Sequence, residues 1–403
     1  MKKMLWIACW TCCLTLPLSA DGFAATVKLG QSCTLTGPLD SLGREMSKGA
    51  KLYIEKRAAG ELELITKDDS YDPKQAVDNT QAFLQDGVQV LFGYLGTPTA
   101  KAVLPVANEN KVLFFGAGTG ADFLSDAAAN PYSFVLRPSY DAEVENMLRH
   151  LKEDLGIKTV SLFVQKDSVG LAGVRAAVKA LQKIEGIKIV PEVPPEPETT
   201  ALPEATEWNE FWSKVPHYKR GTLSVGTGVR QVRGSSAEAV ILVGVARACA
   251  LAINQWRKTD FNVPMVNISF VGSNALADQV KDSGNIYVSQ VVPDPWDAKL
   301  PIVKQYQEDM GNERYNVNSF EAYFTAKVLH DAVKNVKGEV NSESIKAALE
   351  GMTDHDAGGI KVSFGPNDRR GIDSVYLTKI EKDGDKAKLV YVDKLEAVKA
   401  DKK

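Results

Sequence analysis

Few residues in this chain are of a type and spacing that could do chemistry. Gly116-Ala117-Gly118-Thr119-Gly120-Ala121 follows an apolar run ending at Phe115 and fits G-x-G-x-x-A, the spacing that cradles a pyrophosphate in dinucleotide folds. The run comes late in the chain, however, and about 20 residues on, where a ribose would need an acid, stand Leu136 and Arg137. The same glycines suit another chemistry, since they let backbone N–H groups approach an anionic ligand at a strand-to-helix turn. His150, His217, His330 and His355 show no i, i+4 or H-E-x-x-H spacing, so no metal site is expected. There is no G-x-S-x-G and hence no nucleophile elbow. Acid pairs such as Asp68-Asp69 read as solvated strand ends. No catalytic residue and no cofactor is expected, and the chain does not read as an enzyme.

The elements that would position a binding turn are legible as an alternation. Val27 to Gly30 reads as a strand, Ser41 to Arg57 as a helix with one apolar face, and Leu62 to Thr66 as a strand. Asp72-Pro73 opens a helix to Asp86, with proline suited to the first turn. Val88–Phe92 and Val112–Phe115 are predicted strands around a helix from Thr97 to Asn108. The pattern restarts with helices over 143–155, 170–184 and 245–258 and strands over 159–164, 187–190, 239–243 and 265–268. Strands that are apolar throughout belong in parallel sheets covered on both faces. The alternation predicts right-handed βαβ units and an α/β fold.

Length and composition bound the rest. The 403 residues are 44% hydrophobic and 25% charged, which excludes disordered, collagenous and coiled-coil classes. Lys2 and Lys3 precede a short apolar run that is broken by Thr11, Thr15 and Pro17 and followed by small residues. That is the layout of a secretory signal peptide over residues 1–25, and the run is too short to span a bilayer. Removing Lys2, Lys3 and Asp21 takes the formal charge from -3 to -4, over 378 residues. Such a chain suits two domains and gives no reason to expect nucleic acid as partner. Cys33 and Cys249 remain, too few for a disulfide framework, and whether they pair is left open. Residues 191–207 carry five prolines and five glutamates and read as an exposed loop, pinned by the aromatics of Trp208-Asn209-Glu210-Phe211-Trp212.

Several segments in order carry a resemblance: Leu35-Thr36-Gly37-Pro38-Leu39-Asp40-Ser41-Leu42-Gly43, Asp68-Asp69-Ser70-Tyr71-Asp72-Pro73, Phe92-Gly93-Tyr94-Leu95-Gly96-Thr97, Gly116-Ala117-Gly118-Thr119, Val291-Val292-Pro293 and Ser319-Phe320-Glu321-Ala322-Tyr323. Together they resemble the type I periplasmic binding proteins, the leucine/isoleucine/valine-binding group that serves ABC importers. The resemblance implies two interleaved Rossmann-like lobes with a ligand cleft between them. Lobe 1 would hold residues 26–137 with 290–363, lobe 2 residues 138–289 with 365–395, and 396–403 would be a tail. The crossovers would fall near Arg137-Pro138, Ser289-Gln290 and Phe364-Gly365. Hinge closure would bury the ligand.

In amino-acid-binding members, hydroxyls and backbone amides at two lobe-one turns hold the ligand carboxylate; the corresponding residues here are Thr97, Ala117, Gly118 and Thr119. The bland alternative is that both threonines cap the helices that follow them. In lobe 2, the family places an acid near Ser269 and an aromatic near Val245 or Ala246, and this chain has neither there. A desolvated ammonium without a carboxylate would cost several kcal/mol. The expected ligand is therefore a small carboxylate, amide or amino-acid-like molecule, with one lacking an ammonium favoured. Tyr94, Phe115, Phe123, Tyr140, Phe270 and Trp296 are candidate apolar walls. The expected role is a monomeric periplasmic carrier delivering this ligand to a membrane permease. A sensor feeding a signalling receptor and a carrier of a lipid- or sterol-like hydrophobe are the alternatives, with a Rossmann-type enzyme behind them.

Overall fold

The computed structural model describes residues 26–384 and 386–396. The expected signal peptide, Cys9, Cys12 and Cys13 lie outside the described residues, as does the tail beyond Glu396. In chain order the first region runs β1 (Val27–Cys33), α1 (Asp40–Arg57), β2 (Leu62–Asp68), α2 (Pro73–Gln85), β3 (Val90–Phe92), α3 (Thr97–Glu109), β4 (Leu113–Phe115) and β5 (Ser133–Phe134). Then come α4 (Tyr140–Leu155), β6 (Thr159–Lys166), α5 (Ser168–Leu181), β7 (Lys188–Ile189), α6 (Asn209–Lys214), β8 (His217–Lys219) and α7 (Gly226–Gly234). After these follow β9 (Ala239–Val243), α8 (Ala246–Arg257), β10 (Met265–Asn267), α9 (Ser273–Gln279) and β11 (Ile286–Gln290). The last region holds α10 (Pro301–Met310), α11 (Val317–Lys334), α12 (Ser342–Glu350), the small hairpin β12 (His355–Asp356) and β13 (Lys361–Val362), then β14 (Tyr376–Asp383) and β15 (Lys386–Val392).

Two sheets result. The first is parallel, in the order β2-β1-β3-β4-β5. The second runs β15-β14-β11-β10-β9-β6-β7, with β8 also paired to β6; β14 and β15 are its antiparallel members. Every residue of β3, β4, β9 and β10 is buried, as strands covered by helices on both faces require. The order β2-β1-β3 reverses direction at β1, and open α/β sheets bind ligands at the carboxyl ends of strands beside such a reversal.

Local chemistry sets the helix starts. Asp72 accepts from the amides of Lys74 and Gln75 ahead of Pro73, and Asp167 accepts from Val169 and Gly170 to begin α5. Ser139 caps α4, so this helix begins at Tyr140, three residues before the apolar pattern starts at Glu143.

The chain leaves the first sheet after β5, pairs into the second through β11, and returns as α10–α12, of which α11 packs on α1. Phe364 remains with the first sheet, its ring 5.5 Å from Phe134 and 6.3 Å from Phe115. Backbone bonds then tie Arg369, Gly371 and Ile372 to Val135 and Leu136. The last crossing therefore comes after Ile372, later than Phe364-Gly365, because this segment extends the β5 edge before entering β14. Cys33 and Cys249 are both buried and free. The 191–207 loop is anchored by Trp208 Nε1 on the Ala201 carbonyl (3.2 Å), Trp212 Nε1 on the Pro203 carbonyl (2.6 Å), and a two-pronged Arg175–Glu196 pair (2.7 and 2.5 Å).

Candidate ligand cleft

Two turns at the carboxyl ends of β3 and β4 form one side of the cleft. They are joined by Gly118 N–H donating to the Tyr94 carbonyl (2.8 Å). Thr97 Oγ1 and Thr119 Oγ1 lie 2.7 Å apart, and Thr119 Oγ1 donates to the Tyr140 hydroxyl (3.2 Å). All three residues are buried. Thr97 does not cap α3: the capping position is Gly96, at φ 101, and no side chain caps that helix end. No side chain takes its first free amides, and Pro98 has none to offer, so the positive end of the helix is left to attract an anion. Thr119 accepts from Ala121 N–H at 3.4 Å, a weak local contact. A carboxylate-sized anion suits this hydroxyl pair and helix end.

Glycine at 96 is required twice over, since φ 101 is left-handed backbone and a Cβ would fall 2.4 Å from Tyr71 Cε2. Tyr71 itself has φ 63, following Ser70 at φ 49, an arrangement that surrounding bonds must hold in place. Asp68 accepts from Ser70 N–H and Asp69 from Tyr71 N–H, both at 2.9 Å. Asp69 also accepts from the Ser32 and Thr34 hydroxyls. The Asp68-Asp69 pair is thus a clamp for a strained turn, and Asp69 is buried where solvation was expected.

Tyr71 carries the first sheet's side across to the second. Its hydroxyl accepts from Gln165 Nε2 at 3.3 Å, and its ring lies 6.5 Å from that of Phe270. Gln165, at the end of β6, also donates to Asp167 (2.5 Å) and accepts from the Tyr218 hydroxyl (2.9 Å). Tyr218 in turn receives the amide of Val245, next to Ala246 at the uncapped start of α8. Asp167 is fully enclosed, and burial pushes its carboxyl up to about 7 against the pull of its helix-capping amides and Gln165.

Ser269 meets an acid supplied from elsewhere in the chain. No acid stands there in sequence, yet the Glu143 carboxylate from α4 accepts both the Ser269 amide (2.8 Å) and its hydroxyl (2.9 Å). Arg137 also donates to the Ser269 hydroxyl and lies 3.4 Å from Glu143 and 3.2 Å from Glu321. All four residues are buried. Burial pushes Glu321 toward its neutral form, though Arg137 opposes that shift. The cluster ties the first crossover to α4, β10 and α11, and it leaves the Glu143 charge engaged by Arg137.

The structure thus brings Thr97, Ala117, Gly118, Thr119 and Tyr140 together at the β3 and β4 turns, whereas Phe270 lies by Tyr71, Val245 beside Ala246 is tied to Tyr218, and Ser269 is taken up by Glu143 and Arg137. Tyr94 does not join them: its hydroxyl meets Thr80 of α2 at 2.8 Å and its ring packs on Phe114, inside the first lobe. Phe115 is likewise core, stacked on Phe92, and Trp296 is exposed. Sequence reasoning missed Tyr71, Gln165, Asp167, Tyr218 and the Arg137 cluster. One signal was available for Asp167, an acid directly ahead of a helical stretch. Among the described residues no group of three or more histidine, cysteine or acid side chains is placed to hold a metal. None of their helices is long and apolar enough to cross a membrane.

The comparisons agree with this architecture. The sequence profile described as periplasmic binding protein matches residues 26–207 and 212–385. Leu/Ile/Val-binding protein homolog 3 of Brucella melitensis is 27% identical over 249 residues, 56% of this chain and 66% of that protein. Homolog 7 of Brucella suis is 24% identical over 375 residues, 87% of this chain and 85% of the relative. The crystal structure of a possible leucine/isoleucine/valine-binding protein from Rhodopirellula baltica superposes with a TM-score of 0.78 at 30% identity, covering 92% of this chain and 98% of that one. The chain belongs to the periplasmic binding protein family, as a type I, leucine/isoleucine/valine-binding-like member with two α/β lobes and a solute-binding role.

Proposed function

We propose that the chain is exported behind residues 1–25, works as a monomer, and delivers an amino-acid-like solute to the permease of an ABC importer. The solute's carboxylate sits on Thr97 and Thr119 at the uncapped start of α3, and its ammonium faces Asp167 across the cleft. The observation that carries this reading is the buried Thr97–Thr119 hydroxyl pair beside a helix end that no side chain caps. Asp167 is the second half of the match. It is an enclosed carboxyl that burial raises to about 7, and a cation would hold it in the charged form. An acid at the Ser269 position is then unnecessary, and the favoured ligand is one that carries an ammonium. The names of the relatives point to amino acids of the leucine class.

Calorimetric titration with leucine, isoleucine and valine, alongside mass spectrometry of any co-purified solute, tests this. Thr119→Ala is expected to weaken binding by about 1–3 kcal/mol, the cost of a hydrogen bond to a charged group. Unchanged affinity in that variant would remove the carboxylate from this site.

A further inference from the structure

Beside the Thr119–Tyr140 contact lies a cavity of about 250 Å³. Ala121 and Tyr140 line it, and the Tyr140 hydroxyl also meets Thr119 at the candidate carboxylate site. Lys101 of α3 and Ser168 and Leu171 of α5 line it from opposite lobes, and residues 199–201, Pro203 and Trp208 close its outer side. That outer wall belongs to the proline- and glutamate-rich loop, held in place by the two tryptophan N–H bonds and the Arg175–Glu196 pair. We propose that this cavity is a distal subsite, and that the solute is an elongated amino acid ending in a second carboxylate or comparable anionic group. The inference rests on the cleft reading given above and extends it.

Three observations converge. The Ser168 hydroxyl oxygen is buried without a hydrogen-bond partner among the described residues, and a buried polar atom in that condition calls for one. Lys101 makes no ion pair among them, whereas the other charged groups of the cavity are matched. Arg175 is held by Glu196, and Asp122 and Asp141 are both approached by Lys179. Finally, Lys101 stands four residues after Thr97 on α3, on the same face and about 6 Å further along the axis. A ligand whose first carboxylate is on Thr97 therefore reaches Lys101 with a second one.

The test is a calorimetric series on the full chain with leucine, glutamate, 2-aminoadipate and 2-aminopimelate. Affinity is expected to rise along the dicarboxylate series and to exceed that for leucine at least tenfold at its best member. Lys101→Gln, a change at an exposed side chain, is expected to lower binding of that best member at least tenfold more than binding of leucine. Ser168→Ala is expected to act in the same direction, more weakly. Dicarboxylates that bind no better than leucine, or a Lys101 variant that weakens both equally, would overturn the subsite. If Thr119→Ala leaves leucine binding intact, the cleft reading fails and takes the subsite with it. If that variant weakens leucine while Lys101→Gln discriminates nothing, only the subsite fails.

Discussion

Asp167→Asn is expected to make this protein more stable at pH 8 while making it a poorer binder. Asparagine caps a helix as well as aspartate does, so the bonds from Val169 and Gly170 survive. What disappears is an enclosed negative charge. The native carboxyl titrates near 7, against an ordinary 3.8, a gap of about 3 units at about 1.4 kcal/mol each. Because the folded value is raised, the folded state binds a proton that the unfolded state has released. Stability therefore falls as pH rises from about 4 to about 7, and the full cost, at most about 4 kcal/mol, is present above that window. Against this gain stands one local loss. Gln165 donates to Asp167, so the new amide forces Gln165 to turn over and disturbs its bonds to Tyr71 and Tyr218, a penalty of about 1 kcal/mol. The net gain at pH 8 is about 2–3 kcal/mol, which for a chain of this length is roughly 3–4 °C in Tm. Scanning calorimetry of both proteins at pH 4.5 and pH 8 measures it. The difference should be largest at pH 8 and nearly vanish at pH 4.5. A shift of the same size at both values, or a loss at pH 8, would refute the argument that burial of this charge is what costs stability.

Three further expectations follow from the same geometry. Arg137→Leu strips the cation from two buried carboxylates, Glu143 and Glu321, and should cost about 3–5 kcal/mol in urea unfolding, whereas a cost under about 1 kcal/mol would mean the cluster is not a structural tie. Gly96→Ala combines a left-handed φ with a contact against the Tyr71 ring; it should lower stability by about 1–3 kcal/mol and also weaken ligand binding, and an unperturbed Tm would show the turn to be adaptable. Trp212→Phe keeps a ring but loses the N–H bond to the Pro203 carbonyl, so limited proteolysis should cut within 191–207 faster than in the parent chain, with uniform protection counting against the anchor.

Much of the architecture is written locally. Apolar strands alternating with one-faced helices specify an α/β fold, because each strand buried on both faces must be apolar throughout and each helix must cover one face. Capping residues such as Asp72 mark helix starts within a few positions. Short elements were not legible. β5 and β7 have only two residues each and β8 three, too few for a period, and they are strands only because a neighbour offers them a ladder. Beyond Ser269, α11 is buried on nearly every side, so only a narrow polar stripe, Lys327, Asp331 and Lys334, betrays it as a helix.

The candidate site divides along the same line. Thr97 and Thr119 stand out in sequence because they sit at strand-to-helix turns, where hydroxyls and free amides are informative on their own. Tyr94 looks equivalent in sequence, yet the pleat of the chain turns it inward to Thr80. The buried acids were invisible to local reading, since Glu143 reaches Ser269 from a helix 126 positions away and Asp167 acquires its raised titration from enclosure. Sequence alone determined the class of fold, which depends on neighbours along the chain. Only the tertiary structure decided which charges are buried and which are paired, because burial and pairing arise between segments distant in sequence.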